Sequence, residues 1–183
     1  MLTIPLFSNP SIALANLQDL KAIKNLLNSA YRGDSSRKGW TTEADIIAGD
    51  VRTDDNNLQE IMQQEGSVFL KYNDTENNIV GCVNLQQHGD KIYLGMFSVN
   101  PQLQGLGIGR HVLRAAEEYA LTLNYYIIYM SVISLRSELI DWYKRNGYEE
   151  TGERKPFVED GLTGKHLKPL EFLILQKELA AAS

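Results

Sequence analysis

Apolar residues recur along this chain in two rhythms, one of helical period and one of short β-type runs. In "NLQDLKAIKNLLNSAYR", Asn16 to Arg32, the residues Leu17, Leu20, Ile23, Leu27 and Ala30 fall near one helical face. Asn16, with Asp19 three residues later, fits an N-cap. The short apolar stretch Ser11–Asn16 predicts a first strand ahead of that helix. A polar loop follows, "GDSSRKGWTTEAD", in which Thr41 or Thr42 is placed to cap a short helix running to Ile47. "NNLQEIMQQEG" predicts another helix, stopped by Gly66. Ser67–Asn73, Asn78–Gln87 and Lys91–Val99 are strand-like runs separated by turn-forming residues, and predict an antiparallel meander.

The rhythm then changes. Ile108, Val112, Ala115 or Ala116, Tyr119 and Leu123 recur at helical spacing, which predicts a helix to about Asn124. "YYIIYMSV", Tyr125–Val132, is a dense β-branched and aromatic run and reads as a buried strand. Strand, helix and strand across Met96–Val132 form a crossover unit, so those two strands are expected to pair in parallel. "SELIDWYKRNGY" predicts a short helix ended by Gly147, and Glu171–Leu179 a last strand. The tail "AAAS" is expected to fray. Without repeats or linkers, residues 1–183 read as a single α+β domain with a mixed sheet.

Composition narrows the class. The chain of 183 residues is 43% hydrophobic and 22% charged, enough for a substantial core in one domain. Its net charge of −5 argues against a nucleic-acid partner, which favours a basic face. Spread over a domain, that charge mildly favours cationic acceptors such as polyamines or lysine-bearing peptides. Cys82 is the single cysteine, so no intrachain disulfide forms; a reducing cytoplasm fits, and the apolar run "IVGCVNL" suggests a buried, inert thiol. "MLTIPLFSNP" lacks the basic lead of a signal peptide, and no stretch reaches the roughly 18 apolar residues of a membrane span, so no membrane partner is expected. His88, His111 and His166 are scattered, which leaves no metal-site spacing.

The chemistry concentrates in "VNPQLQGLGIGRHVLRAAEEYA". Gly105, Gly107 and Gly109 alternate just where a helix begins. A helix start offers unpaired N–H groups and partial positive charge. Glycines let an anion approach that backbone, and Arg110 adds a full charge, so a phosphate or pyrophosphate is the natural guest. The dinucleotide pattern G-x-G-x-x-G fails because Arg110 stands at its last glycine, and the G-K-[ST] of a Walker loop is absent. NAD or ATP binding is therefore the weaker reading.

"FSVNPQLQGLGIGRHVL" resembles the central signature of the GNAT superfamily of N-acetyltransferases, with Val99, Pro101, Gln104, Gly107 and Gly109 in register. "ELIDWYKRNGYEETG", Glu138–Gly152, resembles a second element near the end of that domain. The resemblance implies a mixed sheet with antiparallel N-terminal strands, flanking helices, and fourth and fifth strands that splay at a bulge. It implies acetyl-CoA as cosubstrate. The pyrophosphate would lie on Gln104, Gly105, Leu106, Gly107, Ile108, Gly109 and Arg110, and the pantetheine arm would pair with Phe97, Ser98 and Val99. It further implies an amine acceptor, small molecule or peptide, and a monomer or homodimer. Tyr143 aligns with the family's tyrosine as the acid for the leaving thiolate, although a tyrosine beside Trp142 on an amphipathic helix is also ordinary core.

One position departs from the family. Arg136 stands where many members carry asparagine, and either reaches a CoA phosphate or an acidic group of the substrate or remains a solvated charge. The loop "SRKGWTTEAD" is expected on the acceptor side: Trp40 to cover a chain or cation, Thr41 and Thr42 to hydrogen-bond, Glu43 to pair with an ammonium. Equally, Thr41 or Thr42 caps a helix, Glu43 sits in its first turn and Trp40 packs as a staple. An acyl-CoA-binding module without catalysis is the alternative function.

Overall fold

A computed structural model describes residues 6–180; the first five residues, and all of the tail beyond Ala180, lie outside the described residues. Along the chain run β1 (Ile12–Leu14), α1 (Leu20–Tyr31), a short α2 (Gly33–Ser36), β2 (Ile47–Ala48) and α3 (Asp55–Gln63). They are followed by β3 (Ser67–Asn73), β4 (Ile79–His88), β5 (Lys91–Val99), α4 (Ile108–Thr122), β6 (Ile127–Ile133) and α5 (Ser137–Arg145). The chain finishes with β7 (Glu149–Pro156), β8 (Lys165–His166) and β9 (Glu171–Glu178).

Local signals account for much of this. Asn16 and Asp19 form a reciprocal capping box that opens the short 3₁₀ turn leading into α1. Asp54 caps α3 through the Asn57 N–H at 2.8 Å. The amphipathic α1 buries Ile23, Leu26, Leu27 and Ala30. α4 buries Ile108, Val112, Leu113, Ala115, Ala116 and Ala120 against a separate cluster containing Val83, Leu85 and Ile128. The sheet is thereby covered on both faces, as an α/β crossover requires.

Seven strands form one mixed sheet in the order β1-β3-β4-β5-β6-β9-β7. The meander β3-β4-β5 is antiparallel as expected, and the crossover places β6 parallel to β5. That parallel pairing lasts for only two residue pairs, Ile92 with Ile128 and Tyr93 with Tyr129. Beyond them the strands part. The cause lies in β5: between the pairs Cys82–Ser98 and Asn84–Gly95, β4 advances two residues and β5 three. This bulge puts Met96 at φ +48, and it bends β5 away from its neighbour.

Two features differ from the expectation. The helix predicted over Thr41–Ile47 does not form. The N–H groups of Ile46 and Ile47 close one turn on the Glu43 carbonyl, after which Ile47–Ala48 pairs with β8. Tertiary pairing with the 157–170 segment captures backbone that a helix would need. The strand β7 carries no sequence signal, because "EETGERKP" is exposed at every position. It exists because β9 offers it an edge, and its charge suits an edge that must not pair further.

Burial also fixes a titration. Cys82 is fully buried, and desolvation pushes its thiol from 9.0 to about 12. Below pH 9.0 both folded and unfolded chains keep this proton, so the contribution is complete. As pH rises toward about 12 only the unfolded chain releases it, and stability falls. Urea midpoints should therefore decline above pH 9.0, and Cys82→Ala should flatten the first part of that decline, before tyrosines begin to ionise near 10.0.

Candidate active site

The parted strands leave two cavities. The larger, about 630 Å³, runs along the open side of β5 to the start of α4. Its floor is Phe97, Ser98 and Val99, and its far end is Gln104, Gly105, Gly107, Ile108, Gly109 and Arg110. The narrower, about 120 Å³, lies in the V itself, between Leu94–Phe97 of β5 and Met130–Ile133 of β6. The two meet at Tyr31, Phe97, Arg136, Leu139 and Tyr143.

At the far end the backbone is as open as the sequence suggests. Gly105 and Gly107 have φ of +87 and +85, and a Cβ on either meets nothing within 4 Å. Gly107 is the N-cap of α4 and offers no side chain to the orphan N–H groups; the first intrahelical bond closes from His111 to the Gly107 carbonyl at 3.2 Å. At Gly109 a Cβ would make ordinary contact with Phe97 at 3.5 Å and Trp142 at 3.6 Å. Leu106 points out, 70% exposed. Along the floor, the Ser98 hydroxyl is buried and has no hydrogen-bond partner.

The Gln104 side chain is engaged within the protein. Its amide nitrogen donates to Thr41 Oγ1 at 2.7 Å and to the Val99 carbonyl at 3.2 Å, while its oxygen accepts from the Trp40 N–H at 2.8 Å. It clips the Trp40 loop to the glycine loop. Gly39 permits this approach, because a Cβ there would come within 2.3 Å of the Gln104 oxygen.

The acceptor-side residues are dispersed. Trp40 and Thr41 line the larger cavity, and Trp40 stands 6.4 Å from Trp142, ring centre to ring centre. Thr42 turns inward, its hydroxyl bonded to Ser36 at 2.6 Å and to the Ala44 N–H at 3.1 Å. Glu43 is buried, with one oxygen on Arg32 and the other on Arg136 at 2.9 Å. With both oxygens held by guanidinium groups it is poorly placed to receive an ammonium. Arg136 is likewise no solvated charge: it also donates to the Thr41 carbonyl and lies over the Tyr31 ring at 5.7 Å. It ties α5 to the loop and lines both cavities.

Tyr143 is buried at the junction of the cavities, among Phe97, Trp142 and Tyr148. Desolvation raises its pKa well above 10.0, helped by Tyr31 and opposed by Arg136. It is therefore a neutral phenol at all ordinary pH. Tyr31, which sequence reading left unassigned, stands beside it. Its hydroxyl donates to the Phe97 carbonyl at the bulge, and burial raises its pKa from 10.0 to about 12. Only its place at the end of α1, one residue before the buried Arg32, hints at this in the sequence.

The site is thus a mixed sheet opened into a V, with glycines at the helix entry on one side and a buried tyrosine at the apex. Residues 20–148 match the Acetyltransferase (GNAT) family, and the chain belongs to it. No curated protein matches the sequence. Among solved structures, yncA from Salmonella typhimurium, determined with its cofactor acetyl-CoA, is 20% identical with a TM-score of 0.67, covering 96% of this chain and 97% of its own. The ribosomal-protein-alanine N-acetyltransferase of Brucella melitensis is 21% identical, TM-score 0.68, covering 92% and 99%. A spermidine N-acetyltransferase SpeG chimera from Vibrio cholerae and hSSAT is 18% identical, TM-score 0.66, covering 91% and 93%. At these identities the likeness is one of fold. Among the described residues no helix is long and apolar enough to cross a membrane, and no group of side chains suits a metal ion.

Glu43→Gln should leave two buried guanidinium groups without their counter-charge. Chemical denaturation should show a loss of about 3–5 kcal/mol, the usual result of removing one partner from a buried pair.

Proposed function

We propose that this chain is an acetyl-CoA-dependent N-acetyltransferase that passes the acetyl group to a primary amine of a small molecule or peptide by direct attack in a ternary complex. The observation that carries this reading is the junction of two cavities at Tyr143 and the β5 bulge. One cavity is long, with an anion-compatible end; the other is short and opens on the same point. The residues fit the cofactor: at Gly105 and Gly107 the helix entry leaves open space where a Cβ would stand.

Acetyl-CoA supplies an activated thioester when bound. The chain's contribution is placement and proton management. Gly105, Gly107 and the N–H groups of α4 would hold its pyrophosphate, with Arg110 adding charge. The unpaired backbone edge of Phe97–Val99 would align the pantetheine arm. The Phe97 and Val99 carbonyls already accept from Tyr31 and Gln104, and each retains a second lone pair. A backbone N–H at the Met96–Phe97 bulge would stabilise the carbonyl oxygen as it gains charge. Tyr143 keeps its proton in the dry apex, so it acts chiefly as a hydrogen-bond donor to the departing sulfur, with the Arg136 field easing transfer.

Thiol release from acetyl-CoA over a panel of amines tests the reading; binding of CoA with no release for any amine would make the chain a cofactor-binding module instead. Gly107→Val should weaken CoA binding at least about tenfold by calorimetry. Gly107→Asn separates blocking from strain, since asparagine tolerates positive φ yet still fills the nest, and it should weaken binding similarly. Tyr143→Phe should lower kcat about 100-fold with CoA affinity nearly kept. Wild-type turnover in Tyr143→Phe would assign that ring to packing.

A further inference from the structure

The narrower cavity carries a charge opposite to that of the chain. Three arginines line it, Arg32, Arg52 and Arg136, against one carboxylate, Glu43, which leaves a formal excess of two positive charges. Glu43 is consumed by Arg32 and Arg136. Arg32 is further held by the Thr163 carbonyl at 2.9 Å, and Arg136 by the Thr41 carbonyl. Arg52 differs. Its backbone N–H is fixed by Asn28 at 2.6 Å, yet its guanidinium has no ion pair among the described residues and rests on the Tyr31 ring, 5.9 Å from the centre. The other end of that tyrosine touches the bulge at the Phe97 carbonyl.

From this we infer that the acceptor is an anionic amine, a small molecule bearing a carboxylate or similar acid near its primary amine, with the acid on Arg52 and the amine at the bulge. The inference rests on the acetyltransferase reading and names its substrate class. Two physical effects favour it. A carboxylate matches the planar donor fork of a free guanidinium, whereas a polyamine entering this cavity meets excess positive charge and no available carboxylate. The same positive field disfavours an ammonium, so it favours the neutral amine that attack requires. The mild preference for cationic acceptors that the net charge suggests is thus reversed locally, because three of the chain's 18 basic residues converge on one cleft.

The experiment compares amines that differ only in the acid: L-alanine with ethylamine, and L-phenylalanine with phenethylamine, with spermidine as a cationic probe. Thiol release should give a kcat/KM at least tenfold higher for each amino acid than for its decarboxylated partner. Arg52→Gln should abolish that ratio by raising the amino acid's KM while leaving the KM of acetyl-CoA unchanged, and Arg52→Lys should restore part of it. In parallel, calorimetry on the CoA-saturated protein should detect the amino acids and not their partners. Equal or better use of spermidine or the simple amines, or an unchanged ratio in folded Arg52→Gln, overturns the inference while leaving acetyl transfer intact. Selective amino-acid binding with no thiol release for any amine upholds the anion site and overturns the acetyl-transfer reading.

Discussion

Parallel pairing between β5 and β6 is held at Ile92 and Tyr93 and then given up, because the extra residue at Met96 turns β5 aside. Everything of functional interest depends on that parting. It strips β5 of a neighbour along Phe97–Val99, which creates an unpaired edge inside the molecule. It also lets two cavities meet at Tyr31, Phe97 and Tyr143. A positive φ at a non-glycine residue is a strained arrangement, tolerated where the surroundings hold it. Here they do: β4 pairs with both flanks of the bulge, and the Tyr31 hydroxyl takes the Phe97 carbonyl.

The second constraint is the Arg32–Glu43–Arg136 cluster. Arg32 ends α1, Glu43 lies in the following loop and Arg136 caps α5, so three separate segments are fastened at one buried point. Removing three charges from water is costly, and the return comes through geometry: two guanidinium groups, one carboxylate with both oxygens used, and backbone carbonyls for remaining donors. The cluster positions Tyr31 and the Trp40–Thr41 loop beside Tyr143. Burial at this apex also keeps the tyrosines protonated, so the same packing that stabilises the junction sets its chemistry.

The 157–170 segment closes one side of the narrower cavity. β8 pairs with β2, and Phe157 and Phe172 stack at 4.3 Å as part of the small cluster with Ile47 and Ile133. Gly164 is required for that closure, since its φ is +107 and a Cβ there would meet the Ala48 carbonyl at 2.2 Å. The cleft is therefore bounded by backbone fit as well as by side chains.

The sequence by itself determined what neighbours along the chain can decide. The capping box at Asn16–Asp19, the buried stripes of α1 and α4, the meander and the crossover to β6 all follow from local period and turn chemistry. The glycine entry was legible for the same reason, because a helix start and its positive-φ glycines are local features. Tertiary structure decided the rest. β7 is all polar and acquires its strand from the β9 edge, and the turn after Glu43 loses a predicted helix to pairing with β8. Glu43 reads as an available carboxylate until Arg136, 93 positions away, takes its second oxygen. Arg52 acquires meaning only when the fold sets it on Tyr31 beside the cleft. Coulombic and hydrogen-bond partners are chosen by distance in space, and a linear pattern of residue types records no such distance.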